Sequence, residues 1–513
     1  MELRPALDGY YGIPQETRLL FGAIAKLTEV ELSGLLQMST RITWGGAKSG
    51  KRYTQAEQIH RYSCTVVSLK GNSVADWKQG VSQFLEEQLE QWLLRFSAWL
   101  GIRKIALSKF ETQYFEDFIW QAVFARSLPS DERKSVLKCN HYVCAIPWRW
   151  MHLVGLEGRL LFRRPTYPRL NLFKHDIFIS QTPYPGRVSK GASLVVHYHD
   201  AIPVLMPHTI SDRAFHQASH FHALGVNVRD KAWFVCVSET TRRDLIRLYP
   251  EAEPRAVTIH NMLSSHYFPS GPEPERLAGI VRRHVHGPLR PPKAKAADRT
   301  YELARHFGNE DEKNAFYERT FAPGCRYLLM VSTLEPRKNH ARLLEAWEVL
   351  RDRSAPDLKL VFVGHIGWDF KTILDACIPW VEQGGLFMLH GVPADVLRIL
   401  YQNAIVTVCP SVGEGFDFSG AEAMRSGGVV AASDISVHRE VYGKAAAYFD
   451  PYDTAGVVDC LHSLVAAEDA QSRRDTLRVE GLKQSARYLP EHIVPQWIEF
   501  LQKVSAARTA EDA

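Results

Sequence analysis

The chain has 513 residues, 45% of them apolar and 23% charged, and a formal net charge of +5. That length exceeds what one core can hold and predicts about two to three domains, the composition is that of a soluble globular protein, and so mild a charge argues against nucleic acid as a partner. No run of about 18 apolar residues occurs and "MELRPALDGYYG" lacks the apolar core of a signal peptide, so the expected location is the cytoplasm. In chain order, a first short strand leads into "GIPQETRLLFGAIAKL" (12–27), a helix with Pro14 near its start, where a missing N–H is tolerated. "EEQLEQWLLRFSAWLGIRKIAL" (86–107) is apolar and aromatic, and its acidic start favours a core or lid helix over a membrane-surface helix. "CNHYVC" (139–144) holds a close cysteine pair, but the second ligand pair of a structural zinc site is missing, so the cysteines read as reduced, inert thiols.

Strands at "HDIFIS" (175–180), "SLVVHYHD" (193–200), "AWFVCVSE" (232–239) and "AVTIHN" (256–261) follow at βα spacing, which predicts a doubly wound α/β half. Proline and charge then break the pattern over 269–322, the mark of a linker or insertion. A second series runs through "RYLLMVSTLEPRKNHARLLEAWEVL" (326–350), "LKLVFVGHIGW" (358–368), "LFMLHGVP" (386–393) and "AIVTVCP" (404–410), and "HIVPQWIEFLQKV" (492–504) stands apart as an amphipathic helix. The expected organisation is a domain over 1–268, a linker over 269–322, a second domain over 323–485 and a helix over 486–513.

The stretch "PSVGEGFDFSGAEAMRSGGVVAASD" (410–434) places Glu414 and Glu422 eight positions apart. Glu414 falls in a strand-to-helix loop. Ser419 stands three residues before Glu422, the spacing of a capping box, so Glu422 is expected in the first helical turn, with Gly427 and Gly428 as the stop. Loops beyond the carboxyl ends of parallel strands form the binding crevice, and a helix start there can seat a phosphate. At this point a capping glutamate and a solvated loop carboxylate explain the pair as well.

The segments "VSTLEPRKN" (331–339), "VGHIGW" (363–368), "LHGVPADVLRILYQNA" (389–404) and "EGFDFSGAEAM" (414–424), in that order and with the E-x7-E spacing, resemble the retaining, GT-B fold glycosyltransferases of family 4, which include bacterial mannosyltransferases of O-antigen and capsule assembly. "GIPQETRLLF" (12–21), "HYHDAIPVLMP" (197–207) and "VSETTRRDLIRLYP" (237–250) extend the resemblance over nearly the whole chain. It implies two Rossmann-like domains facing each other across a cleft, acceptor first and donor second, with the C-terminal helix returning towards the first. It implies that Glu414 bonds donor-sugar hydroxyls, that Glu422 accepts from the ribose diol, and that backbone N–H groups from Gly415 through Phe416, Asp417 and Phe418 to Ser419 hold a diphosphate. Lys338 would neutralise that diphosphate with Arg337 beside it, Thr333 and Val392 complete the donor site, and His199 reaches the donor sugar or the reaction centre. Gly12, Gln15, Arg18 and Asp200 fall to an acceptor- or phosphate-facing loop.

Two positions depart from the family pattern: Thr333 stands where arginine is common, and Asp417 where a small residue usually follows Gly-Phe. The implied substrates are a nucleotide diphosphate sugar and a glycan or lipid-linked glycan, with no metal or other cofactor. Basic stretches at 162–165 and 281–295 add the expectation of a peripheral contact with the inner face of a membrane. A non-catalytic GT-B partner in polysaccharide assembly and a retaining glycosidase are the alternatives.

Overall fold

The computed structural model describes all residues except 8, 10, 11, 45–50, 71–76, 101–103, 173, 174, 290–299 and 513, with backbone alone at 77–87, 104, 160–162, 511 and 512. Part of the basic stretch 281–295 therefore lies outside the described residues. The chain divides into two compact units. The first comprises Met1–His208, Asp212–Met262 and Pro490–Ala513; the second comprises Thr209–Ser211 and Leu263–Leu489.

The first unit is built on a parallel sheet in the order Ala256–Thr258, Trp233–Cys236, Ser193–Tyr198, Ile177–Ser180. Every residue of "WFVC" is buried, as expected of a strand covered on both faces. Beyond Ile177–Ser180 the N-terminus joins a second sheet to the first: Glu2 N donates to Ile179 O at 2.8 Å and Leu3 N to Leu35 O at 2.9 Å. That second sheet pairs Ser33–Leu36 parallel with Asn140–Val143, and Ser108–Phe110 antiparallel. One core cluster gathers Leu20 and Phe21 of the helix Gly12–Ala25 with Trp497, Phe500 and Val504 of the C-terminal helix Pro490–Asp512. Each such large side chain contributes about 1.5–3 kcal/mol of transfer free energy. All eight cysteines are free thiols, and burial pushes that of Cys144 up to about 12.

The helix expected within 86–107 spans Trp77–Leu100, and 101–103 fall outside the described residues. Only one face of it is core. Leu94 and Ala98 pack against Trp150 and Val154, whereas Leu89, Trp92, Phe96 and Leu100 are 49% to 59% exposed. Among the described residues, no helix is long and apolar enough to cross a membrane.

The second unit is a six-stranded parallel sheet in the order Leu386–Leu389, Lys359–Val363, Tyr327–Val331, Val406–Cys409, Val430–Ser433, Ala446–Phe449. Numbered along the chain this is 3-2-1-4-5-6, the Rossmann order, with its switch point between Tyr327–Val331 and Val406–Cys409. Residues 269–322 are more than a connection, because they contain the helices Leu277–His284 and Glu310–Thr320 and belong to this unit. Val285 bridges to Leu389 and His286 N donates to Met388 O at 2.9 Å, so the segment covers an edge strand that would otherwise expose unpaired backbone.

Candidate functional site

The loops that leave the two switch-point strands carry the charged residues. After Tyr327–Val331, Pro336–Lys338 make one 3-10 turn and Asn339 takes a left-handed conformation at φ +63°. Its side-chain amide donates to Pro410 O at 3.1 Å and Pro451 O at 2.9 Å, while Val412 N donates to Arg337 O at 3.0 Å. The two loops are thereby tied together at their bases. Asparagine tolerates the left-handed region better than most residues, a signal legible in "PRKN".

This tie brings Glu414 between two cations. Lys338 Nζ lies 2.5 Å from Glu414 Oε1, and Arg337 Nη1 lies 2.8 Å from Glu414 Oε2. Arg337 also contacts the carboxylate of Glu335 at 2.8 Å. Burial opposes the charge on Glu414, but Arg337 and Lys338 outweigh it and hold the carboxyl below the usual carboxylate range. At Glu335 burial wins instead, and its carboxyl titrates above that range. Glu335 was not expected as part of the site; in "LEPRKN" it reads as an ordinary loop residue.

The start of the helix Phe418–Arg425 differs from the expected capping box. Asp417, not Ser419, is the cap, with Oδ1 accepting from Ser419 N at 3.2 Å and from Ser419 Oγ at 2.7 Å. Asp417 Oδ2 meets His438 Nε2 at 3.1 Å, and although burial opposes its charge, His438, Lys338 and Ser419 together hold its carboxyl far below the usual range. The N–H of Ser419 expected to meet a phosphate is thus taken by the protein's own carboxylate. A cap is closer than any ligand and costs no translational freedom. Asp417 holds this place at φ +64°, a conformation that favours glycine.

Glu422 lies in the second turn of this helix rather than the first, and it does not join Glu414. Tyr401 Oη donates to its Oε2 at 3.1 Å, and Tyr267 also hydrogen-bonds its carboxylate. Gly420, between the two glutamates, is required by packing, since a Cβ there would sit 2.4 Å from the ring of Tyr442, whose hydroxyl donates to Asp417 O. Phe416 is buried with its ring 5.3 Å from Phe418 and 5.1 Å from Tyr488, and Gly415 is buried beside it. Thr333 is half-buried with its methyl against Gly367, and Val392 is buried next to Pro393, the residue preceding the helix Ala394–Asn403. All these residues belong to the second unit.

The first-unit residues divide into two groups. His199 follows the strand Ser193–Tyr198, its ring 4.5 Å from that of His197, which Trp497 meets edge-on at 5.2 Å. Burial alone lowers His199 to about 3, so its imidazole is neutral, and its Nε2 has no hydrogen-bond partner among the described residues. Asp200 accepts from Ile202 N at 2.9 Å, fixing the loop that follows the strand. Gly12, Gln15 and Arg18 lie in the first two turns of a helix, not in a loop. Arg18 is fully buried, with Nε 2.8 Å from Val123 O, Nη2 2.7 Å from Ala6 O and Nη1 3.2 Å from Ser127 Oγ. Its donors serve the core, which corrects the expectation of a phosphate-facing arginine.

Known proteins resemble this chain, and a family model falls within the second unit. The family model described as "Glycosyl transferases group 1" matches residues 311–476, which include both switch-point loops and the helix that carries Glu422. O-antigen chain mannosyltransferase B of Escherichia coli is 26% identical over 380 residues, covering 74% of this chain and 87% of that protein. O-antigen chain mannosyltransferase RfbU of Salmonella typhimurium is 39% identical over 149 residues, 29% of this chain and 40% of that protein. Among solved structures, sucrose-phosphate synthase of Thermosynechococcus elongatus is 15% identical at a TM-score of 0.49, covering 72% of this chain and 84% of that one. Two Rossmann-like units in one chain, with the last helix packed into the first, are the parts of the GT-B fold class. With the group 1 model spanning the charged loops and O-antigen mannosyltransferases among its relatives, the chain is a glycosyltransferase that carries a Glycosyl transferases group 1 domain.

Proposed function

We propose that the chain moves a hexose, mannose by preference, from a nucleotide diphosphate sugar to a hydroxyl of a glycan or lipid-linked glycan, with retention at the anomeric carbon, in cell-surface polysaccharide biosynthesis. The observation that carries this reading is the Arg337–Glu414–Lys338 cluster, with Glu335 on the same arginine, which sets two cations side by side at the switch point where α/β sheets bind their ligands. The names of the relatives, mannosyltransferases of O-antigen chains, support the sugar and the pathway class.

In this reading Lys338 and Arg337 meet the diphosphate, and their charge matters most as negative charge grows on the departing oxygen. Glu414, released in part from its cations, accepts from sugar hydroxyls. The departing phosphate oxygen takes the acceptor's proton on the same face, so no protein nucleophile is needed. His199, being neutral, offers a hydrogen bond rather than a charge. The reaction proceeds without a metal cofactor, because the two cations fill that electrostatic role.

Turnover of GDP-mannose, set against UDP- and ADP-sugars with a mannan-type acceptor, tests the proposal, and activity is expected to persist in EDTA. Loss of activity on chelation, restored by a divalent ion, contradicts the metal-free mechanism. Glu422→Ala is expected to weaken binding of the free nucleoside diphosphate by about 1.5–3 kcal/mol, the worth of hydrogen bonds to a charged group. Calorimetric titration reads this directly. Unchanged affinity removes Glu422 from the ribose site and leaves it as the partner of Tyr401 and Tyr267.

A further inference from the structure

In the first unit, the C-terminal end of the helix Trp77–Leu100 meets a cavity of about 400 Å³, whose lining includes Leu100, Thr166, Tyr167, Arg169, Arg187 and Arg229. Asp230 is the one acidic residue of that lining, and it holds Arg187 through contacts of 2.6 and 3.1 Å. Arg169 and Arg229 have no acidic partner among the described residues, so the cavity is net positive.

The same helix presents Leu89, Trp92, Phe96 and Leu100 outward, spaced three, four and four residues apart along one face. Trp92 and Phe96 stack at 5.6 Å with their planes 7° apart. The helix is firmly held from behind, since Leu94 and Ala98 pack against Trp150 and Val154, and Arg95 grips Glu157 at 2.6 and 3.0 Å. Leu100 belongs both to the outward face and to the cavity wall, so the apolar stripe and the cationic cavity are continuous. An apolar face flush with a positive pocket complements an anionic bilayer, which offers acyl chains and phosphates at one surface. A stable protein interface takes about 20–30 residues a side, more than this stripe and rim supply. A second copy of the chain would bring a net charge of +5 towards a positive cavity.

We propose that this region docks on an anionic bilayer, with a lipid phosphate entering the arginine-lined cavity while Leu89, Trp92, Phe96 and Leu100 sink into the head-group boundary. The docking does not depend on which sugar the chain transfers. It gives the peripheral contact expected from the basic stretches a defined location, and makes aromatic insertion its second component.

Co-sedimentation of the full chain with phosphatidylcholine vesicles, with and without phosphatidylglycerol, tests it. Binding is expected to the anionic vesicles, to be weakened by salt, and to be far weaker on neutral ones. A Trp92→Ala/Phe96→Ala variant, altered only at exposed positions, is expected to lose vesicle affinity by at least roughly tenfold with its melting temperature and its activity on a soluble acceptor unchanged. Arg169→Gln/Arg229→Gln is expected to abolish the preference for phosphatidylglycerol. Wild-type vesicle binding by either variant overturns the proposal. Saturation of the cavity by inorganic phosphate without vesicle binding, read as an Arg169-dependent melting shift, assigns it to a free anion and also overturns it. Sedimentation equilibrium showing a dimer that Trp92→Ala/Phe96→Ala dissociates, without vesicle binding, makes a second copy the occupant and does the same.

Discussion

Lys338→Ala lowers kcat by about 10²–10³-fold, equivalent to about 2.7–4 kcal/mol of lost transition-state stabilisation, and changes the KM for the sugar donor far less. The reason lies in how the ammonium is already used. At rest its charge is matched by Glu414 at 2.5 Å, and Arg337 at 2.8 Å balances the other oxygen of the same carboxylate. An incoming diphosphate therefore finds cations partly satisfied, and the ground state gains little from Lys338. When the glycosidic bond to phosphate lengthens, the new charge falls on one oxygen, and a preorganised cation in a water-poor site responds without reorganisation. Steady-state kinetics separate the two possibilities. A raised KM with unchanged kcat means that Lys338 binds ground and transition states alike.

Arg18→Met destabilises the folded chain by about 3–5 kcal/mol and spares the chemistry of whatever protein remains folded. Methionine fills most of the volume but leaves the carbonyls of Ala6 and Val123 facing an apolar side chain, each without the charged donor it now has. Denaturant unfolding followed by circular dichroism is the measurement, with the midpoint falling at constant slope. The opposite pattern, intact stability with lost turnover, returns Arg18 to the role of a phosphate ligand.

These two residues also show what the sequence could and could not reveal. The place of Glu414 was readable because a short β-branched strand followed by a loop fixes where a side chain falls, whereas its role and Lys338 came through the family resemblance. The burial of Arg18 was not readable. A charge near a helix start reads as exposed, and acceptors that include the carbonyl of Val123 and the hydroxyl of Ser127, more than a hundred residues away, make its burial tolerable. The helix start at 417–419 failed for a different reason: Asp417 and Ser419 are both good caps, and spacing alone selected the one that makes a box with Glu422. The choice was made by His438, which lies 21 residues on and takes the second oxygen of Asp417. Likewise Glu335 reads as solvent-facing until the second loop brings Glu414 to the same arginine. Strands depend on local pattern, whereas polar networks depend on partners that the pattern does not encode.

The return of the last helix to the first unit has a consequence for how the protein is made. Trp497, Phe500 and Val504 are part of the core that also holds Leu20 and Phe21, so the first unit is missing a wall until the helix Pro490–Asp512 has left the ribosome. Chains usually fold N-terminal domain first during synthesis. Here the second unit, whose sheet and helices are contiguous in sequence from Leu263 to Leu489, has all its parts earlier than the first unit does. The nascent chain must therefore carry an unfinished apolar surface through the synthesis of more than two hundred residues, and a stop codon before Pro490 would leave that surface permanently open. Loss of the helix Pro490–Asp512 is thus a lesion in a unit whose other parts are translated more than two hundred residues earlier.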